Sequence, residues 1–157
     1  MFRIGHGYDV HRFEKGRKLI LCGEEIEHDE GLLGHSDADV AVHALMDAML
    51  GAAALGDIGK HFPDTDDAYK GISSIELLKH VKGLLDGQGM TLSNADITVI
   101  AERPKLKAHI DAMRANLADA LDVDVSFISV KATTEEGLGI AGKGIAAHAV
   151  VIIMHNS

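Results

Sequence analysis

A chain of 157 residues, 46% hydrophobic but without Trp, is long enough to bury one aliphatic core with no metal or disulfide staple. Its 15 Lys and Arg against 24 Asp and Glu give a formal charge of -9, which excludes an extended nucleic-acid surface while leaving room for a local phosphate pocket. The lone Cys22 excludes an internal disulfide, and no stretch reaches the roughly eighteen consecutive apolar residues of a membrane span, so one domain over residues 1–157 is expected, cytoplasmic and off the membrane.

Residues 1–13 alternate Phe2, Ile4, Tyr8 and Val10 with polar or glycine positions, the period-two pattern of a strand with one face on a core. "RKLILCG" and "EEIEH" read as short strands. From Asp37 to Leu55 an Ala-rich run carries one polar stripe through Asp39, His43 and Asp47, which predicts a mostly buried helix with Asp37 as its cap. "GDIGKHFPDTD" reads as a loop, and "SSIELLKHVKGLLDGQG" as an exposed amphipathic helix opened by Ser and closed by Gly. "DITVIAE" follows as a strand, the run after Pro104 as a helix, and "VSFISVKATT" and "IAAHAVVIIM" as strands. The order predicts an α+β domain, a mixed sheet of four to five strands covered on one face by helices.

On a strand, Asp9 and His11 point to the same face, a carboxylate and an imidazole side by side that could grip one metal ion. Taken alone the pair also reads as a strand-end Asp and a half-exposed His. His43, polar on an apolar helix, brings the set to three N/O donors, the count of a catalytic zinc site that keeps one position open. Asp39 and Asp47, one turn either side of His43, are the carboxylates expected to orient it. His35 and Ser36 stand at that helix's N-terminus, where an anion or plain capping is equally expected. "GLGIAGKG" misses the phosphate-loop pattern, with Gly144 where a Ser or Thr should hold magnesium and no helix after it. "AERPKLK" holds the densest basic cluster of an acidic chain, suited to a diphosphate.

Together "RIGHGYDVH", "GLLGHSDADVAVHALMDAMLGAAALGDIGKHFPDTD", "ERPKL", "VKATTEE" and "GIAAHAV" resemble the 2-C-methyl-D-erythritol 2,4-cyclodiphosphate synthase family over nearly the whole chain. The resemblance implies a homotrimer with active sites between subunits and release of CMP from 4-diphosphocytidyl-2-C-methyl-D-erythritol 2-phosphate. It implies zinc on Asp9, His11 and His43, magnesium or manganese at Glu136, and transition-state support from His35 and Thr134. It further implies that Asp57, Ile58, Gly59, Phe62, Pro63, Asp64, Thr65 and Asp66 hold the methylerythritol phosphate. Ala101, Pro104, Lys105, Leu106 and Lys107 would wall the cytidine side, and Ser36 and Thr133 would also contact substrate. Ile140 and Lys143 occupy places where the family usually has Phe and Arg, in a stretch about two residues shorter. A lysine offers a point charge where arginine offers a fork, which weakens the expectation of an isoprenoid diphosphate on the trimer axis. The residues alone leave two alternatives, a metal-dependent phosphohydrolase and a non-catalytic binder of metal or isoprenoid diphosphate.

Overall fold

The computed structural model describes residues 1–156. The long strand β1 (Phe2–Lys15) is followed by β2 (Leu19–Leu21), β3 (Glu24–Ile26) and β4 (Glu30–Leu32). Then come α1 (Val40–Ala52), the one-turn helix α2 (Ile58–His61), α3 (Ser74–Gly87), β5 (Met90–Ile100), α4 (Ile110–Leu121), β6 (Ile128–Thr133) and β7 (Gly144–His155). Five strands form one sheet in the order β4-β1-β7-β5-β6, antiparallel except for the parallel pair β5 and β6. This is the expected mixed sheet with helices on one face. Among the described residues no helix is long and apolar enough to cross a membrane.

The alternation in β1 has a concrete cause. Gly5, Gly7, Asp9 and His11 face α1, while Phe2, Ile4, Tyr8 and Val10 lie on the opposite, exposed face. Gly5 and Gly7 are needed because the helix backbone lies against the strand: a Cβ on Gly7 would run into the Ala44 carbonyl oxygen and come within 2.8 Å of the Ala48 nitrogen. The partner strand offers Ala147 and Ala149 opposite Asp9 and Gly7, small residues that let α1 sink onto the sheet. Nearly all of α1 is buried as a result, His43 included.

Several boundaries differ from the sequence-based expectation. Asp39, not Asp37, caps α1: its carboxylate accepts from Val42 N and also from Cys22 N and Gly23 N. Asp37 instead accepts from the backbone nitrogen of Ser74 at the start of α3. The strand β4 lies outside the predicted elements, and α2 interrupts the predicted loop with a single turn capped by Asp57. β5 begins at Met90, earlier than predicted. The helix expected straight after Pro104 begins at Ile110, since Leu106 turns into the core and holds the preceding residues as loop and turn. β6 likewise starts at Ile128, after a 3-10 turn at Val125–Phe127.

Candidate active site

Strand β1 presents Asp9 and His11 toward α1, and α1 returns His43 to meet them. His11 Nε2 lies 2.9 Å from Asp9 Oδ2, His43 Nδ1 lies 3.1 Å from the same oxygen, and the two ring nitrogens are 3.3 Å apart. Bonds of 2.0–2.1 Å in a tetrahedron separate ligand atoms by roughly 3.3 Å, so the three donors fit one zinc ion. They are also the one group among the described residues arranged as a three-donor metal cluster. Each imidazole is fixed from behind, His11 Nδ1 on the Leu33 carbonyl at 2.6 Å and His43 Nε2 on the hydroxyls of Ser36 and Ser74 at 3.1 and 3.0 Å. The carboxylates expected for that role serve elsewhere: Asp39 caps α1, and Asp47 accepts from Ile58 N at 2.8 Å. Helical spacing placed them beside His43 but could not see the loops that claim them.

Burial opposes ionisation of Asp9, yet the hydrogen bonds and charges of His11 and His43 together outweigh it and hold the carboxyl well below the usual range. Burial also works against a charged His11, but the Asp9 hydrogen bond and charge, helped by the Leu33 carbonyl, raise its pKa above 6.5. A raised value means protons compete for the imidazole at higher pH than in free histidine. In the metal-free protein the pairing stabilises the fold fully below about pH 6.5 and fades as pH rises through the raised value. The affinity of this cluster for a divalent ion is therefore expected to weaken progressively as pH falls through the raised His11 value, with proton release on binding; calorimetry in buffers of different ionisation enthalpy measures both. An affinity flat between about pH 8 and 6 would contradict this assignment.

The triad floors a cavity of about 220 Å³ that is also lined by His35, Ser36, Ile58, Gly59, Phe62 and Asp64. His35 Nε2 meets the Asp66 carbonyl at 3.1 Å, which ties the 34–37 loop to the 62–66 loop. Arg17 braces the same loop through the carbonyls of Gly34 (3.1 Å) and Ser36 (2.8 Å). Asp57, Pro63, Thr65 and Asp66 belong to the neighbouring segment but are not in the cavity wall; Asp57 and Asp66 cap local turns. Gly34, Met46, Tyr69 and Leu77 complete the lining; the last three carry no signal in the sequence because apolar residues look alike whether they face core or cavity.

Ala101, Pro104, Lys105, Leu106, Lys107, Thr133, Thr134 and Glu136 gather in a second cavity of about 700 Å³ at the ends of β5 and β6. Thr134 Oγ1 donates to Glu136 Oε1 at 3.1 Å, and Glu136 sits in the left-handed region at φ 54°. Glu102, which sequence reading passed over, accepts from the backbone nitrogens of Glu135 and Gly137 at 3.0 and 3.1 Å and so holds this turn. Ile140 and Lys143 line neither cavity; Lys143 lies in a turn whose carbonyl accepts from Phe13 N.

With this arrangement in view, comparison with known proteins is decisive. The YgbB family model matches residues 2–154. The chain belongs to the YgbB family. It is 61% identical over 154 residues to a 2-C-methyl-D-erythritol 2,4-cyclodiphosphate synthase of Trichlorobacter lovleyi, covering 97% of this chain and 98% of the relative. A synthase of the same name from Lachnospira eligens is 59% identical over 155 residues, with 99% and 85% covered. Among solved YgbB-like structures, a 2C-methyl-D-erythritol-2,4-cyclodiphosphate synthase in a CDP-bound form superposes with a TM-score of 0.90 at 41% identity, over 97% of this chain and 100% of that one. The bifunctional IspDF of Campylobacter jejuni gives 0.96 at 45% identity; all of this chain aligns, but it spans only 43% of that protein. The YgbB family is one of enzymes, and the curated relatives are lyase-type synthases.

Proposed function

We propose that this chain converts 4-diphosphocytidyl-2-C-methyl-D-erythritol 2-phosphate into 2-C-methyl-D-erythritol 2,4-cyclodiphosphate and CMP, as a homotrimer with active sites between subunits. The observation that carries this reading is the Asp9, His11 and His43 cluster at the floor of a cavity rimmed by His35 and Ser36, in a chain so similar to the named synthases. An oxygen of the 2-phosphate attacks the β-phosphorus. A P–O bond forms there, and the bond from that phosphorus to the CMP oxygen breaks, its electron pair leaving with CMP. The substrate brings its own nucleophile, so the protein has to position and neutralise. Cys22, wholly buried and with its thiol pKa raised by that burial, has no part to play.

Zinc on the triad and magnesium or manganese at Glu136 would neutralise diphosphate oxygens and draw charge from the phosphorus. Ile58, Gly59, Phe62 and Asp64 wall the space for the methylerythritol end, and His35 and Ser36 face the same space with polar groups. Lys105 and Lys107 supply positive charge beside Thr133 and Thr134 for the cytidine diphosphate end. Holding the two ends of one molecule together supplies on the order of 7–11 kcal/mol in good intramolecular cases. The CDP-bound relative supports the cytidine assignment. The shared active site is supported by the separation of the two residue sets into different cavities of one chain. An exposed apolar sheet face with Phe2, Ile4, Tyr8, Val10 and Val150 offers the surface for assembly.

Phosphorus NMR of the purified protein with this substrate, with and without zinc and magnesium, tests the proposal. Metal-dependent loss of substrate with two coupled cyclic-diphosphate resonances is the expected result. Linear phosphates would replace the reading by hydrolysis, and unchanged substrate with metal bound would replace it by a binding role.

A further inference from the structure

The side of His43 turned away from the triad meets a polar chain that the proposed reaction does not use. Ser74, the first residue of α3, is completely buried, and its hydroxyl lies 3.0 Å from His43 Nε2. The same hydroxyl donates a short hydrogen bond to Asp37 Oδ1, while the Ser74 backbone nitrogen donates to Asp37 Oδ2 at 3.0 Å. Directions follow from chemistry. An ion on Nδ1 leaves the proton on Nε2, which must donate; Ser74 has given its own proton to Asp37 and keeps a lone pair for the ring. The order is therefore His43 Nε2–H to Ser74 Oγ–H to the Asp37 carboxylate.

We infer that Ser74 and Asp37 are positioning residues for His43: through the buried hydroxyl the carboxylate fixes the ring orientation and the tautomer that offers Nδ1 to the metal. This rests on the metal site of the proposed function. Asp37 is half-buried at the wall of an open groove of about 840 Å³ on the far side of the 34–37 loop, so it holds this place without entering the metal cavity. Ser36 also reaches Nε2, at 3.1 Å, but its oxygen takes the Ala38 backbone nitrogen and no carboxylate stands behind it.

The test measures zinc dissociation constants of the full chain by competition with a chromogenic chelator, together with the nitrogen chemical shifts of His43 in the zinc-loaded protein. Ser74→Ala and Asp37→Asn are each expected to weaken zinc about 10–100-fold and to broaden or shift the Nε2–H tautomer signal. The double variant should lose no more than the larger single loss, because the two residues act in series. Asp37→Asn keeps the result interpretable if Ser74→Ala does not fold. Singles within about threefold of the wild type, or a double variant whose loss is the product of the singles, would overturn the relay. A wild-type chain that takes no zinc would overturn it along with the metal site. Zinc binding with the expected losses but linear products would uphold the relay and sink only the cyclisation.

Discussion

If the proposed function holds, His43→Ala is expected to lower turnover by about three orders of magnitude or more while the metal-free fold persists, because the ion would lose one of three protein ligands and the diphosphate several kcal/mol of charge stabilisation. The ring is nearly buried, but its hydrogen-bond partners are the other two donors and the hydroxyls of Ser36 and Ser74, and it lines the site cavity, so its removal enlarges that cavity and leaves the core beneath α1 in place. Metal analysis of the purified variant, steady-state turnover and far-UV circular dichroism check the three parts. Near-wild-type turnover with the fold intact would show that the triad is not the reaction centre.

The largest effect on stability is expected at Gly7. Gly7→Val puts a branched side chain where the Ala44 carbonyl of α1 already lies, and both neighbours are backbone, so neither can swing aside. The strand and helix must part, at about 3 kcal/mol or more, out of a total of roughly 5–15 kcal/mol. For a chain of this length that corresponds to a melting temperature lower by roughly 10 °C, or to insoluble protein. Gly51→Ala is the matched control: this glycine lies in α1 with open space around it, and alanine there should be neutral or stabilising by up to about 1 kcal/mol. A Gly7→Val protein melting within about 2 °C of the wild type would refute the close strand–helix approach. Because Gly7 lies two residues before Asp9 on the same face, the variant should also lose metal affinity.

The part of the site written in local periodicity was legible in the sequence. Two residues apart on a strand, Asp9 and His11 had to share a face, and His43 stood out as a polar residue on an otherwise apolar helix. What surrounds them was not legible, because it depends on contacts far apart in sequence. Ser74 reaches both Asp37 and His43 across more than thirty residues. Asp39 and Asp37 are both plausible caps in one dimension; only the turn at Cys22 and Gly23, which delivers two backbone nitrogens to Asp39, decides between them. The cluster around Glu136 shows the same limit. "VSFISVKATT" reads only as a strand and "AERPKLK" only as a basic cluster between a strand and a helix, and the parallel pairing of β5 with β6 is what makes them one wall. The expectation of a trimer and of roles for individual residues rests on the family resemblance alone, because periodicity carries no signal for either.

The eleven-pair ladder between β1 and β7 has one more consequence. Slipping that pairing by a single residue would carry Asp9 and His11 through the sheet to its other side and strand His43 beneath it. Only a correctly zipped chain can then bring the three donors together, so retention of a metal ion under a chelator challenge would double as a proofreading mark that sorts native molecules from misregistered ones before any substrate is offered.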